Sequence, residues 1–175
     1  ARRPDATAMV FPRARGALRL TNAELDRDTD RIAHGLAHLG VTRGTRTVLF
    51  VQPAPDLFPL VFALFKAGAV PVMIDPGMGA SAVGACIAES EPEAFIGVTK
   101  AHAARVALGW GRGTVRTSVV AGSRRSLFGT TLDAVRRRGA DDGAFAAIAP
   151  DAGELGAVLF TSGSTGPAKG VCYEH

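Results

Sequence analysis

Apolar positions along the chain follow two patterns, and the two alternate from one end to the other. Short apolar runs bounded by glycine, proline or aspartate are typical of buried strands. Such runs occupy residues 47–51, 70–74, 94–98, 117–121 and 156–160. Longer segments with apolar residues three and four positions apart predict helices. These helical segments cover residues 22–39, 56–67, 81–89, 101–108 and 132–138.

The boundaries of the first two helices carry specific signals. Thr21 and Glu24 form a capping box, and Gly40 suits the left-handed position after a helix. We expect Asp56 to cap the second helix and Gly68 to end it. The strand at 70–74 contains Pro71, which weakens the prediction, but the turn at 75–77 ends it firmly. Residues 141–154 are small and polar, and we expect a loop there.

Strands and helices that alternate at this spacing predict βαβ crossovers. The fold class is therefore α/β, with a mostly parallel sheet flanked by helices. The composition agrees, because a chain of 175 residues that is 47% hydrophobic and 21% charged is typical of a globular domain. Two cysteines exclude a disulfide scaffold, and no apolar run reaches the ~18 residues of a membrane span. We expect a cytoplasmic protein.

The net charge of +4 raises the question of nucleic-acid binding, but the distribution of charges is against it. Arginines are scattered along the chain with acidic residues between them, and the densest basic run is the triplet Arg136–Arg138. Basic patches that bind polyanions are usually longer. Few aromatic side chains are available to stack on bases. We therefore predict no nucleic-acid partner.

The segment that carries chemistry is Thr161–Gly170, TSGSTGPAKG, which directly follows a predicted strand. Its glycines allow the backbone to approach a ligand closely, and its hydroxyls offer donors to phosphate oxygens. Lys169 adds a positive charge suited to a polyphosphate. In open α/β folds, ligands bind at the carboxyl ends of the strands. A flexible glycine–serine linker is the simplest alternative, but a linker seldom places a lysine behind a buried strand.

Three other glycine-containing motifs do not match the sequence of this segment. A Walker A loop needs glycine before its lysine and serine or threonine after it, but Lys169 lies between Ala168 and Gly170. The dinucleotide fingerprint would need glycine at Thr165. A nucleophile elbow needs a serine with glycines two residues away on both sides, and neither serine of the motif has them.

The segment VLFTSGSTGPAKGV resembles the phosphate-binding signature of the adenylate-forming superfamily. This superfamily includes acyl-CoA synthetases, fatty acyl-AMP ligases, luciferases and the adenylation domains of non-ribosomal peptide synthetases. The segments ELDRDTDRIAHGLAHLGV and LFALFKAGAVPVMIDP resemble, in order, the start of its N-terminal domain. The turn IDPGMG and the segment EPEAFIGV are most similar to the branch that contains the β-lactone synthetases of long-chain olefin biosynthesis. Members of that branch are often labelled fatty acid–CoA ligases.

The resemblance implies a two-step reaction. ATP activates a carboxylate to an acyl-adenylate with release of pyrophosphate, and a second nucleophile then takes the acyl group. For the lactone-forming branch, the substrate is a fatty-acid-like 3-hydroxy acid whose own hydroxyl closes a β-lactone. The alternative is an ordinary acyl-CoA synthetase or fatty acyl-AMP ligase. An alternative of another class is a non-catalytic nucleotide-binding module.

The resemblance also implies roles for individual residues and cofactors. The family's loop that holds the β- and γ-phosphates matches Thr161, Ser162, Gly163, Ser164, Thr165, Gly166 and Lys169, with Lys169 as the catalytic residue. Pro167 and Ala168 reverse the family's usual order of variable residue and proline, which leaves the backbone donors unaffected. The implied cofactors are ATP and Mg²⁺, with CoA for the thioester alternative. The implied partner is a small carboxylate with a long acyl chain, and no metal ligand is predicted within these residues.

Residues 1–175 correspond, by the same resemblance, to an incomplete N-terminal adenylation domain without its C-terminal domain. The chain lacks an initiator methionine and stops shortly after the loop at 161–170, so we expect both ends to be cut. The family's adenine-binding, Mg²⁺-binding and ribose-binding residues and its mobile lysine would all lie downstream. We therefore expect the fragment alone to be inactive.

The remaining candidate residues have plainer interpretations. His34 and His38 have metal-ligand spacing, but Gly35 stands where a zinc motif needs glutamate, and we expect both on a helix surface. The aromatic stripe of the second helix, with helical spacing typical of a core rather than an acyl pocket, is Phe58, Phe62 and Phe65.

Two cysteines and a histidine complete the set. We expect Cys86 to pack as a small apolar residue. Cys172 has no identifiable base beside it, which argues against a nucleophile. His175 ends a K-G-V-x-x-x-H pattern of the family, and we expect it to help start a following helix rather than to take part in catalysis.

Overall fold

The computed structural model describes residues 3–161 and 169–175, which form a seven-stranded sheet with helices on both faces. The sheet is parallel except for its last pair of strands. A separate antiparallel hairpin precedes the first helix. The predicted class, α/β with a mostly parallel sheet flanked by helices, is confirmed. In the described part of the chain, no helix is both long and apolar enough to cross a membrane.

The elements alternate along the chain much as the sequence predicts. The strands are β1 (Thr7–Pro12), β2 (Ala17–Thr21), β3 (Arg46–Phe50), β4 (Val70–Ile74), β5 (Ala94–Val98), β6 (Thr117–Ala121), β7 (Thr130–Thr131), β8 (Leu155–Thr161) and β9 (Lys169–Glu174). The α-helices are α1 (Asn22–Ala37), α2 (Leu57–Lys66), α3 (Ala80–Ser90), α4 (Thr99–Leu108) and α5 (Leu132–Arg138). One 3₁₀ turn, Pro76–Met78, lies between β4 and α3.

The order of strands across the sheet is β7–β6–β5–β3–β4–β8–β9. From β3 the chain moves to β4 on one side, then crosses over β3 to β5 and continues outward to β6. The strands β3 and β5 are therefore neighbours whose following segments depart in opposite directions. This arrangement leaves a crevice at their carboxyl ends, where open α/β sheets bind ligands.

The core has two layers because side chains alternate between the faces of each strand. Leu49 and Ile96 pack on the side of α1, α2 and α5. Val48 and Phe95, their immediate neighbours in sequence, pack on the side of α3 and α4. All four are buried, which explains why the parallel strands appear in the sequence as continuous apolar runs.

The start of α1 confirms the predicted capping box. The Glu24 amide donates to Thr21 Oγ1 at 3.2 Å, and the Thr21 amide donates to Glu24 Oε2 at 2.8 Å. The bonds to Thr21 lower the pKa of the Glu24 carboxyl. Gly40 takes a φ of +81° after the helix, a conformation in which glycine is least strained.

The predicted cap of α2 is wrong. Asp56 has helical backbone angles and makes no side-chain bond to the start of the helix. Its carboxylate instead accepts a hydrogen bond from Arg136 at 2.9 Å. The Asp56 carboxylate therefore binds a charged partner on a neighbouring helix instead of capping α2 as the local sequence predicts.

Pro71 lies in an internal strand, which the sequence pattern made less certain. It pairs in register with Thr47 of β3. The ladder between β4 and β8 begins one residue later, at Val72 and Val158. The proline thus precedes the first residue pair of the β4–β8 ladder, so the internal strand tolerates it.

The predicted core role of the aromatic stripe on α2 is also wrong. Phe58, Phe62 and Phe65 are between 38% and 50% exposed. The sheet buries Leu60 and Leu64 on the opposite side of the helix instead. Because α2 is apolar around most of its circumference, spacing alone does not show which side faces the core.

The described residues after the glycine motif form a strand, and the expectation that His175 helps to start a helix remains a prediction. β9 runs antiparallel to β8 and adds an edge strand to the sheet. His175 follows β9, and its amide donates to the Glu154 carbonyl at 3.0 Å. The loop predicted at 141–154 is confirmed.

Candidate functional site

The carboxyl ends of β3, β4, β5 and β8 meet at one edge of the sheet because these strands are parallel. Thr161 is the last residue of β8, and Lys169 is the first residue of β9. The two residues are register partners across the antiparallel ladder. Two of the residues predicted to bind phosphate therefore lie side by side at the edge where the fold favours a ligand.

The other predicted phosphate-binding residues lie outside the described part of the chain. These are Ser162, Gly163, Ser164, Thr165 and Gly166. Their contact with phosphate remains a prediction, as does the catalytic role of Lys169.

The position after Lys169 requires glycine for a reason that is independent of any ligand. Gly170 pairs with Phe160, and an added Cβ would lie 2.9 Å from the Phe160 ring. Phe160 is buried, so its ring has little room to move. The glycine lets β9 lie closely over the ring, and this contact positions Lys169 beside Thr161.

Asp75 stands at the same edge, directly after β4. Its carboxylate accepts a hydrogen bond from the Gly77 amide at 2.8 Å and so closes the 3₁₀ turn. The turn IDPGMG, whose sequence resembles one branch of the adenylate-forming superfamily, thus shapes the rim of the site.

Two adjoining cavities lie along this edge. The near cavity, of about 310 Å³, reaches Thr161 and Asp75. The far cavity, of about 400 Å³, extends to α4 and Trp110. The lining residues that the two cavities share are Leu49, Val51, Pro53 and Ile74. We call the two cavities together the edge groove.

The edge groove was not predicted. The apolar runs around Leu49 and Ile74 predict only buried strands. The available signal was that both residues lie near the ends of strands adjacent to the strand that carries the glycine motif. Two of the chain's three lysines, Lys100 and Lys169, also lie at this edge.

Comparison with known proteins now identifies the family. The sequence profile of the AMP-binding enzyme family matches residues 1–175. The chain belongs to the AMP-binding enzyme family. Membership in this family of adenylate-forming enzymes implies the use of ATP.

Relatives within the AMP-binding family include two named olefin β-lactone synthetases. The protein of Stenotrophomonas maltophilia is 47% identical over 99% of this chain, and that of Xanthomonas campestris pv. campestris is 46% identical over 99%. The match covers 32% of each relative, so the chain spans about a third of their length. The resemblance stated from the sequence is confirmed at this level.

Solved structures of other proteins share the fold. MbtA of Mycobacterium smegmatis gives a TM-score of 0.82 at 28% identity, covering 99% of this chain and 31% of that one. An anthranilate CoA ligase in complex with anthranoyl-AMP gives a TM-score of 0.82 at 17% identity, covering 98% of this chain and 32% of that one.

The histidine pair at the end of α1 contacts an acidic residue. His38 Nε2 lies 2.8 Å from Asp142 Oδ2, and His34 Nδ1 lies 3.9 Å from the same oxygen. The predicted surface position is confirmed for His38, whereas Phe145 covers much of His34. Within residues 3–161 and 169–175, no cluster of three or more histidine, cysteine or acidic side chains could hold a metal ion.

The two cysteines differ in environment. Cys86 of α3 is buried among apolar residues, as predicted, and burial raises the pKa of its thiol. Cys172 is exposed on β9.

Proposed function

We propose that the intact protein carrying this chain uses ATP to activate the carboxyl group of a 3-hydroxy fatty acid and then closes the acid to a β-lactone. In this proposal, residues 1–175 are the N-terminal part of the adenylation domain. The relatives that the chain matches are about three times as long, so we assign the complete reaction to the longer protein.

The observation that carries the proposal is the pairing of Thr161 with Lys169 at the carboxyl edge of the sheet. It supports a phosphate site because a hydroxyl and an ammonium group then flank the glycine motif from adjacent strands. The 47% identity to an olefin β-lactone synthetase supports lactone closure as the second step.

In the first step, a carboxylate oxygen of the acid forms a bond to the α-phosphorus of ATP. The bond from that phosphorus to the bridging oxygen breaks, and pyrophosphate leaves with the electron pair. We assign to Lys169 the neutralisation of charge that develops on pyrophosphate, and to Thr161 a hydrogen bond to a phosphate oxygen. Such preorganised charge accounts for much of the catalysis of phosphoryl and nucleotidyl transfer.

In the second step, the 3-hydroxyl oxygen forms a bond to the acyl carbon. The bond from that carbon to the phosphate oxygen breaks, and AMP leaves with the electron pair while the hydroxyl proton is released. The product is the acid less one molecule of water. Mg²⁺ would screen the phosphates when bound, but the described residues provide no cluster of ligands for it, and we assign it none of them.

The test is carboxylate-dependent exchange between ATP and pyrophosphate in the intact protein. We expect Lys169→Ala to lower the exchange rate about 10- to 100-fold, the range expected when a charge-assisted hydrogen bond is lost. Arg116→Ala is the matched control, because it removes an exposed positive charge at the opposite, amino-terminal edge of the sheet. Equal rates in the two variants would contradict the role of Lys169.

Product analysis separates the alternatives. With a 3-hydroxy acid and ATP, we expect a product with the mass of the lactone whether or not CoA is present. A thioester that forms only with CoA would identify an acyl-CoA synthetase, and an adenylate as the end product would identify an acyl-AMP ligase. Nucleotide binding without exchange would identify a non-catalytic module.

A further inference from the structure

The charges of the chain are divided unevenly between its parts. Residues 94–132 contain six lysine or arginine residues and no aspartate or glutamate. This segment contributes a charge of +6 to a chain whose net charge is +4, so the rest of the chain sums to −2. In the structure, the segment forms β5, β6 and β7, which make up one end of the sheet, and the helix α4. The basic residues are thus concentrated at one end of the sheet.

The loop between β6 and β7, residues 122–129, combines positive charge with an apolar side chain in water. Leu127 is 101% exposed, so its whole side chain is in contact with solvent. Arg124 and Arg125, in the same loop, are also exposed. In the described part of the chain, the arginines that form ion pairs are Arg43, Arg46 and Arg136. The two loop arginines are therefore available to an anionic partner.

Contacts with its own residues and with α4 hold this loop in place. The Phe128 amide donates to Ser126 Oγ at 2.9 Å. The Phe128 ring stacks at 6.2 Å on the ring of His102, a buried residue of α4. Because Phe128 packs against the helix, its neighbour Leu127 points to solvent. The exposure of the leucine is therefore a property of the folded loop.

The outer side of α4 extends the same kind of surface. Val106 and Leu108 are 56% and 54% exposed. Val106 lies one turn after His102, the residue on which the loop packs. Lys100, near the start of the helix, is exposed and adds a positive charge. We call the loop 122–129 and the exposed side of α4 together the basic surface.

The chemistry of the basic surface fits a membrane that carries negative charge. Arginine and lysine are attracted to anionic headgroups, and exposed leucine and valine side chains can enter the boundary between headgroups and acyl chains. A nucleic acid would also attract the arginines, but it would gain little from an exposed leucine. The loop offers no free aromatic ring to stack on bases, since Phe128 packs on His102. The observations therefore favour lipid.

We propose that the basic surface docks the protein on membranes that contain anionic lipids. Arg124 and Arg125 bind lipid phosphates, and Leu127 inserts beside them into the outer part of the acyl region. Docking is reversible, because two arginines and a few apolar side chains attract a bilayer far less than a spanning helix does. The inference does not depend on the proposed function, since the basic surface includes neither Thr161 nor Lys169.

The first experiment measures binding of the intact protein to vesicles by co-sedimentation. We expect binding to vesicles of equal parts phosphatidylcholine and phosphatidylglycerol, little binding to phosphatidylcholine alone, and release by added salt. Arg124→Gln combined with Arg125→Gln should lower the partition coefficient about 30-fold, roughly fivefold for each charge. The matched control is Arg137→Gln combined with Arg138→Gln, which removes the same charge from exposed arginines of α5.

The second experiment measures insertion of the leucine. Leu127→Trp places a fluorescent reporter in the loop, and the vesicles carry lipids brominated on their acyl chains. We expect the bromine to quench the emission that Leu127→Trp adds but not the emission added by Val10→Trp, a half-exposed position on the separate hairpin. Leu127→Ser should lower the partition coefficient about 10-fold, because the burial of an apolar side chain is lost.

The outcomes separate docking from folding and from other partners. All variants replace exposed side chains, and thermal unfolding should show that each folds as the wild type does. The proposal is overturned if the intact protein does not bind the mixed vesicles at about 0.1 M salt. It is also overturned if the two arginine pairs lose binding equally, or if Leu127→Trp is not quenched. Loss of double-stranded DNA binding in the Arg124 and Arg125 variant, without vesicle binding by the wild type, would assign the surface to nucleic acid instead.

Discussion

The two helical layers of the molecule pack on the sheet through apolar clusters but differ in their other interactions. The layer formed by α1, α2 and α5 is held together by ion pairs. Lys66 of α2 binds Asp26 and Asp30 of α1, and Arg136 of α5 binds Asp28 of α1 at 2.8 Å. The attraction crosses from helix to helix, so three separate segments form one unit.

The layer formed by α3 and α4 relies on ring packing. The His102 ring lies 5.0 Å from the Phe95 ring, and Arg105 lies 5.5 Å over the face of Phe95. Phe50 stacks on Phe95 at 5.7 Å and lies 6.4 Å from Trp110. The contacts between rings depend on shape, and only the cation–π contact of Arg105 depends on charge.

Because of this difference, we expect changes in the ring-packed layer to affect the edge groove and changes in the ion-paired layer to affect stability. The ring-packed layer borders the edge groove through Trp110 and α4, whereas the ion-paired layer contributes Leu57 from the start of α2. A change of side-chain volume beside α4 therefore alters the shape of the groove. A change of charge between α1, α2 and α5 alters the free energy of unfolding and leaves the groove nearly unchanged.

The largest expected effect comes from a pair of matched glycines. An added Cβ at Gly35 would overlap the Val135 carbonyl of α5, whereas at Gly84 it would lie 2.8 Å from the Trp110 side chain. A backbone carbonyl cannot move aside as a side chain can. We expect Gly35→Ala to cost about 3 kcal/mol and Gly84→Ala about 1 kcal/mol in urea unfolding. Equal losses would contradict the expectation that the Trp110 side chain moves aside more readily than the Val135 carbonyl.

A smaller effect should follow from removing the central cation of the ion-paired layer. Burial opposes the charge of Arg136, but hydrogen bonds and attraction from Asp28 and Asp56 outweigh it, and its pKa is raised. Arg136→Met leaves both carboxylates without this partner, and we expect a loss of about 2 kcal/mol, reduced from the value of a fully buried pair. Arg137→Met, an exposed neighbour, is the control. A loss as small as that of the control would show that the network contributes little.

The smallest expected effect distinguishes the ring-packed layer by pH. Burial lowers the pKa of His102, although its hydrogen bond to the Val119 carbonyl at 3.0 Å opposes the shift. The unfolded chain therefore binds a proton there more readily than the folded chain. Its contribution to stability is present above the unfolded pKa and is lost as the pH falls below it. We expect His102→Phe to lose less stability than the wild type between pH 7.5 and 5.5. If the free energy of unfolding falls equally with pH in His102→Phe and in the wild type, this prediction is refuted.

Much of the sheet could be predicted because most of its strands have a recognisable local sequence pattern. The runs that became β4, β5 and β6 have the predicted bounds, since each is apolar and ends at proline, glycine or polar residues. The hairpin β1–β2 was missed because it is short and largely exposed, and its apolar side chains (Met9, Phe11, Leu18 and Leu20) are only half-buried. β9 was not predicted, although Val171 and Tyr173 favour a strand.

The candidate site was predictable only where one segment carries it. Thr161 and Lys169 belong to a single motif, so their residue types and spacing were enough to single them out. The edge groove is assembled from the ends of strands that are distant in sequence, and their neighbourhood depends on the strand order. The sequences of β3 and β5 contain no signal of the crossover that makes these strands neighbours.

The ladder between β8 and β9 affects the affinity of the proposed site for a nucleotide. Because Thr161 and Lys169 are already neighbours, the ends of the intervening segment meet before any ligand arrives. The entropy lost in bringing those ends together belongs to folding, so a bound polyphosphate need not supply it. Lengthening the segment by a residue or two would then weaken binding only slightly, whereas forcing a side chain between Gly170 and the Phe160 ring would weaken it severely.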